Sequence, residues 1–296
     1  MNIEIDVERA RKVGKILIEV YYSDKEKSFF GQKKAPEEWF KPKNLTKGSP
    51  QHIHYVTLIC SLNYMRDADQ LWKAGMETFE DEETQWVFDV NSEKLKNFTE
   101  LQKALQKHKL SQRPSQDTEY WQKNILSIKE KFNGDIRKLI IEEGEKDAKK
   151  IYNLVKKNYE NDFLSLKGDK ILPYWIITLK EVCGLELKNL NEIPIPVDVH
   201  VARATIFTGC LKGEDIEKNL LKVNSIGRMK KNIKQIAKKI DEVWKKASEK
   251  FKEFEKYKLD EPLWTLSKEG CSKVKNRTCS KYDECPVKYL CVKVEK

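Results

Sequence analysis

Four of the seven cysteines in this 296-residue chain, Cys271, Cys279, Cys285 and Cys291, fall within its last twenty-six residues, spaced C-x7-C-x5-C-x5-C. Gaps this short fold one loop around one point, which is what a metal centre with four thiolate ligands requires. A disulfide pair is the alternative. The chain begins Met1-Asn2-Ile3-Glu4 with no apolar signal segment, so a reducing cytoplasmic setting is expected, nucleoid-associated if the cell is prokaryotic. Grouped cysteines bind metal more often there. Lys273, Lys275, Arg277, Lys281 and Lys288 interleave the cysteines, so the loop is expected to face a polyanion.

The wider charge pattern agrees. Net charge is +10, and residues 228–296 hold 20 Lys/Arg against 11 Asp/Glu. A local basic excess is the footprint of phosphate binding, although a solvated Lys/Glu face accounts for part of it. At 39% hydrophobic and 35% charged, the chain reads as folded. It lacks an apolar run of the roughly eighteen residues that a membrane span needs.

The elements that must hold these groups are helical. Residues 5–21 place Ile5, Val7, Ala10, Val13, Ile16, Leu17 and Val20 on one face. A loop follows over 23–49, with Trp39 and Phe40 as an anchor, and Ser49-Pro50 opens a helix expected over 50–78. Breaks fall near His108–Pro114 and Asn133-Gly134. A helix–turn–helix pair is expected from Asp147–Asn158 through Leu164–Lys170 to Pro173–Cys183, with Gly184 as its cap. Val197-Asp198-Val199-His200 starts another helix, to about Thr208. The longest stripe runs over 229–257 through Met229, Ile233, Ile236, Ile240, Val243, Trp244, Ala247, Phe251 and Phe254, and reads as core. Cys60, Cys183 and Cys210 lie on apolar faces and read as buried thiols.

Taken in order, the glycine turn, the aspartate at a helix start and the four-cysteine loop resemble the helix-hairpin-helix DNA glycosylases, the superfamily of endonuclease III and the 8-oxoguanine DNA glycosylases. Leu166-Lys167-Gly168-Asp169-Lys170 stands for the hairpin and Ile195-Pro196-Val197-Asp198-Val199-His200 for the catalytic aspartate. Cys271 to Cys291 stand for a [4Fe–4S] loop, and Ile59-Cys60-Ser61-Leu62-Asn63-Tyr64 for the segment that inserts an Asn beside the unpaired base. The resemblance covers about 50–75, 163–210 and 271–291.

It implies an all-α protein of two lobes. One is a helical barrel with the hairpin over 48–195; the other joins 1–47 to 196–296 and carries Asp198 and the cluster loop. It also implies excision of a damaged base, oxidised purine such as 8-oxoguanine first, from duplex DNA by base flipping, by a monomer with no membrane partner. Asp198 would stabilise positive charge on the sugar, or simply cap its helix. Lys170 would be the amine nucleophile of a lyase, with Lys167 a second lysine at the turn. Gly168 and Lys167 would meet a phosphate, as would Lys273, Lys275 and Arg277. Asn63, with Tyr64 or Met65 as wedge, would fill the hole left by the flipped base, or merely bond helix backbone.

The family usually has Gly-x-Gly where this chain has Gly168-Asp169-Lys170. Aligned without a gap, Leu172 takes the lysine position and the enzyme would be a monofunctional glycosylase for alkylated, deaminated or mismatched bases. The middle cysteine gap is longer than the family's, so zinc is an alternative to the cluster. A DNA-binding protein with a four-cysteine zinc site and no activity is the more distant reading. Trp175, Phe254 and Trp264 are candidates for a base pocket and equally explicable as core.

Overall fold

The computed structural model describes residues 2–23, 35–214, 216 and 226–294, the side chains of 226–235 excepted. Helices dominate them: α1 (Val7–Ser23), α2 (Pro36–Trp39), α3 (Pro50–Ser61), α4 (Ala68–Glu80), α5 (Phe98–Lys107), α6 (Pro114–Phe132), α7 (Ala148–Asn153), α8 (Ile171–Glu181), α9 (Val199–Phe207), α10 (Ile226–Phe251) and α11 (Asp260–Thr265). Two antiparallel pairs of two-residue strands join them, β1 (Glu4–Ile5) with β2 (Leu211–Lys212) and β3 (Val274–Lys275) with β4 (Thr278–Cys279). No helix among the described residues is long and apolar enough to cross a membrane.

The chain divides into a continuous unit, Lys34–Ile193, and a discontinuous one, Met1–Lys33 with Pro194–Lys296. Residues 35–47, placed with the discontinuous lobe by sequence, cluster with the continuous unit. Glu37 and Leu45 are buried there, and the Lys43 N–H bonds Glu80 Oε1 at the end of α4 (3.1 Å). Trp39 is not the expected anchor, being 55% exposed. Residues 24–34 of that expected loop lie outside the described residues.

Within the continuous unit, short polar side chains start the helices by accepting first-turn N–H groups. Ser49 caps α3, Asp67 caps α4, Asn97 caps α5 and Asp147 caps α7. The single helix expected over 50–78 is two. It breaks after Ser61, and Met65 takes a left-handed conformation (φ 53°) before Asp67 restarts it. Tyr55, Phe79, Phe88 and Trp121 interlock edge to face or tilted with centroids 5.2–5.6 Å apart. Trp121 donates its indole N–H to the Val87 carbonyl (2.9 Å).

In the discontinuous unit α1, α9, α10 and α11 share one core containing Val13, Leu17, Ala204, Ile240, Trp244 and Leu263. Helix α10 ends at Phe251, short of the expected 257, because Lys252 turns left-handed (φ 52°). Met229 and Ile233 of its expected stripe lie outside the described side chains. Arg9 of α1 joins the two ends of the chain. Its guanidinium donates to the Thr208 carbonyl at the end of α9 (2.5 Å) and to the Leu290 carbonyl in the cysteine segment (2.6 Å).

Candidate functional site

The hairpin starts at α7, opens into a π turn over Leu154–Asn158 and turns through 159–170 into α8. Ser165 Oγ donates to the Ser61 carbonyl at the end of α3 (2.5 Å), and Trp175 Nε1 donates to Thr57 Oγ1 (2.9 Å). The turn is therefore fixed against α3. Gly168 does not adopt the left-handed backbone that would demand glycine. A Cβ there would stand 3.2 Å from the Ser165 carbonyl oxygen, so close packing is what favours glycine. The N–H groups of Lys167 and Gly168 bond the carbonyls of Phe163 and Ser165 (both 3.0 Å). Both of these N–H groups are satisfied within the turn. Asp169 is exposed, paired with Lys156 (2.6 Å).

Lys170 sits at the N-cap of α8 and is half-buried. Its Nζ lies 5.9 Å from the centroid of Tyr174, one turn along the helix. Leu172 is fully buried. An alignment that puts Leu172 at the lysine position would therefore point a catalytic position into the core. Cys60 and Cys183, expected as buried thiols, are buried, and burial pushes both up, Cys183 to about 12.

Asn63 is only 4% exposed, so the side chain expected to enter the helix faces the protein. The residues that stand out at the α3–α4 break are Tyr64 (51% exposed) and Met65 (62%). Arg113 lies under the Tyr64 ring, 4.8 Å from its centroid, and is itself held by both oxygens of buried Asp117. Arg66 holds the Leu110 carbonyl (2.6 Å). Sequence missed both arginines as props, since each meets its partner only through the fold.

Asp198, in the discontinuous unit, caps α9. Its Oδ1 accepts from the N–H groups of His200 (2.8 Å) and Val201 (2.9 Å). The segment leading to it is held from α10, where Asp241 Oδ1 accepts the Ile195 N–H (3.0 Å) and the buried Lys256 ammonium (2.8 Å). Behind α9, Arg203 donates to Ser267 Oγ (3.2 Å), which lies 3.4 Å from His200 Nδ1. Burial pulls the Arg203 guanidinium down, and the charges of Cys271 and Asp198 oppose it. Of the three aromatic pocket candidates, Trp175 is fully buried and Phe254 nearly so. Trp264 is half-buried, 5.7 Å from the His200 ring, with the Lys268 ammonium 4.5 Å over it.

Lys273, Lys275 and Arg277 are all exposed. Lys275 and Arg277 sit on the β3–β4 hairpin, whose two-residue turn is Asn276-Arg277 with φ 45° and 61°, the left-handed pair that a type I′ turn needs. All four loop cysteines are half-buried free thiols. Burial, then the neighbouring Cys291, Cys285 and Cys279, push Cys271 up, so the four share one neighbourhood. Burial likewise pushes Cys285 up to about 11. A set of four soft donors suits an iron–sulfur cluster or zinc. Among the described residues, however, no three His, Cys, Asp or Glu side chains are gathered closely enough to hold a metal ion.

Comparison with known proteins follows this geometry. Residues 170–296 match the family AGOG, N-glycosylase/DNA lyase. The fold is similar to that of the 8-oxoguanine DNA glycosylase of Pyrobaculum aerophilum, Pa-AGOG, solved in complex with 8-oxoguanosine, at TM-score 0.58 and 12% identity over 96% of this chain and 94% of that one. No curated protein matches by sequence. The matched stretch starts at Lys170 and includes Asp198 and the cysteine loop. Residues 170–296 are thus similar to an N-glycosylase/DNA lyase family, and the chain shares the helical fold of an 8-oxoguanine DNA glycosylase.

Proposed function

We propose that this glycosylase/lyase excises 8-oxoguanine from duplex DNA, with Lys170 as nucleophile and Asp198 as the carboxylate that stabilises the sugar cation. One observation carries the lyase assignment: Lys170 stands half-buried at the head of α8 while Leu172 is sealed in the core. The neutral amine attacks C1′ and forms a C–N bond as the bond to the base breaks. The electron pair leaves with the base, which takes up a proton. Opening of the C1′–O4′ bond then yields an iminium on the opened sugar. Positive charge builds on the sugar as the base departs, and a fixed carboxylate is the group that opposes it. Two N–H groups at the start of α9 hold Asp198 Oδ1 in place, and the N-terminal end of a helix dipole favours its negative charge.

The flipped base needs a wedge and a stacking surface. Exposed Tyr64 and Met65 suit the first, backed by Arg113, and Trp264 near His200 suits the second. The β3–β4 hairpin offers Lys275 and Arg277 to phosphates. Cys271, Cys279, Cys285 and Cys291 would hold a [4Fe–4S] cluster, with zinc the alternative, and its part would be to fix this basic loop.

Borohydride trapping on a duplex containing 8-oxoguanine tests the reading. The parent protein should give a covalent adduct and Lys170→Ala none. An adduct that survives Lys170→Ala removes the lysine, and an 8-oxoguanine duplex left intact after alkali removes the substrate.

A further inference from the structure

The segment that delivers Asp198 has few handles. Pro194 and Pro196 carry no N–H. Among the described residues, the Ile195 N–H is the one main-chain group of 193–197 with a hydrogen-bond partner. That partner is a side chain, Asp241 Oδ1 on α10, at 3.0 Å. The same oxygen accepts the ammonium of Lys256 (2.8 Å), which opens the short turn Lys256–Leu259. Lys256 is 1% exposed and Ile195 2%, so both bonds are shielded from water, where charge-assisted hydrogen bonds are strongest.

Helix α10 takes a second hold on the far side of Asp198. Trp244, three residues on from Asp241, donates its indole N–H to Thr205 Oγ1 of α9 (3.1 Å). Thr205 in turn donates to the Val201 carbonyl (2.8 Å), and the Val201 N–H is one of the two that bond Asp198 Oδ1. The chain bearing Asp198 is therefore fixed to α10 at 195 and at 205. Ile240, Val243, Trp244 and Ala247 already anchor α10 in its core. A buried ion pair adds little stability beside such packing, so the service of Asp241 and Lys256 is the bond to Ile195.

We infer that Asp241 is a positioning residue for excision. Its bond to the Ile195 N–H sets where the Asp198 carboxylate stands, and Lys256 holds the Asp241 carboxylate in the orientation that makes that bond. This rests on Asp198 as the group that opposes the sugar cation. A segment displaced by about 1 Å slows such chemistry by up to about 100-fold, while the contacts that bind duplex are untouched.

Two double variants separate the bond from the buried charge. Asp241→Ala with Lys256→Met removes the ion pair and the acceptor. Asp241→Asn with Lys256→Met removes the ion pair and keeps an oxygen for the Ile195 N–H. Neither leaves an unpaired buried ion, and thermal unfolding should find both folded at the assay temperature. Single-turnover excision from an 8-oxoguanine duplex, at saturating protein, should be roughly 10–100-fold slower in the Ala pair and close to the parent in the Asn pair. Duplex affinity by fluorescence anisotropy should be the same for all. Hydrogen exchange gives a second readout: the Ile195 amide should exchange faster in the Ala pair than in the parent or the Asn pair. Equal excision rates in the two pairs overturn the inference, as do a loss confined to affinity and an Ile195 amide equally protected in both. Asp198→Asn is measured alongside. If it excises as fast as the parent, or the parent leaves the duplex intact, the assignment of Asp198 has failed and this inference falls with it. If Asp198→Asn is slow while the Ala pair keeps the parent rate, the role of Asp241 alone is lost.

Discussion

Asp198 serves a cap and, on the reading above, a reaction, and the two roles can be separated by substitution. Its Oδ1 accepts two N–H groups of α9, at 2.8 and 2.9 Å. Asn and Ser can each supply an oxygen at that position; Ala cannot. Losing a cap of this kind costs about 1–2 kcal/mol, whereas keeping the acceptor without its charge costs only about 0.3–1 kcal/mol of helix-dipole interaction. Stability by thermal or denaturant unfolding should therefore rank the parent just above Asp198→Asn and Asp198→Ser, with Asp198→Ala clearly below. The chemistry should rank differently. All three variants lack the charge opposing the sugar cation, a loss of about 3–4 kcal/mol, or roughly 10²–10³ in rate. Single-turnover excision from an 8-oxoguanine duplex, read by alkali cleavage, should find all three slow by similar factors. An Asp198→Asn protein that excises as fast as the parent would refute the catalytic role. Activities that track stability would reduce Asp198 to a cap.

Three further outcomes are expected. His54 is buried, and burial pushes it down to about 4. Its stabilising contribution is complete above the unfolded value near 6.5 and is lost as pH falls toward 4, up to about 3 kcal/mol, so His54→Phe should flatten the acid limb of an unfolding titration. Asp241→Ala should destabilise by about 3–5 kcal/mol, because it leaves the Lys256 ammonium buried and unpaired, whereas Asp241→Ala with Lys256→Met should recover most of the loss in the same unfolding assay. Lys275→Ala should weaken duplex binding equally across sequences and lower the slope of log affinity against log salt by about one, measured by fluorescence anisotropy.

Much of the helical frame is legible in the chain because its signals are local. Ser49, Asp147 and Asp198 start helices within a residue or two of where periodicity and capping chemistry place them, and Gly184 ends α8 with φ 75°. The break between α3 and α4 is not legible. Leu62-Asn63-Tyr64-Met65 contains neither Gly nor Pro, and Met65 is held left-handed beside Arg66, whose guanidinium bonds the Leu110 and Lys109 carbonyls. That same break hides Asn63 and presents Tyr64 and Met65, the residues expected as the wedge. The groups around Lys170 were partly within reach, since Tyr174 lies four residues along an expected helix. Glu37 and Trp72 were not: they meet Tyr174 from segments more than a hundred residues away, and periodicity carries no information about such encounters.

The Arg9 guanidinium, bonded to main-chain carbonyls at 208 and 290, has a consequence for the order in which the molecule is made. A ribosome releases Lys34–Ile193 as an uninterrupted stretch that contains every helix of its own unit. The first helix emerges earlier still, yet the carbonyls that hold its arginine, at 208 and 290, are translated only after that whole unit. Until then α1 must wait with Val13 and Leu17 uncovered, the kind of apolar surface that makes a partly made chain prone to aggregate. A truncation that removes Leu290 and the residues after it would therefore disturb α1 as well as the cysteine segment.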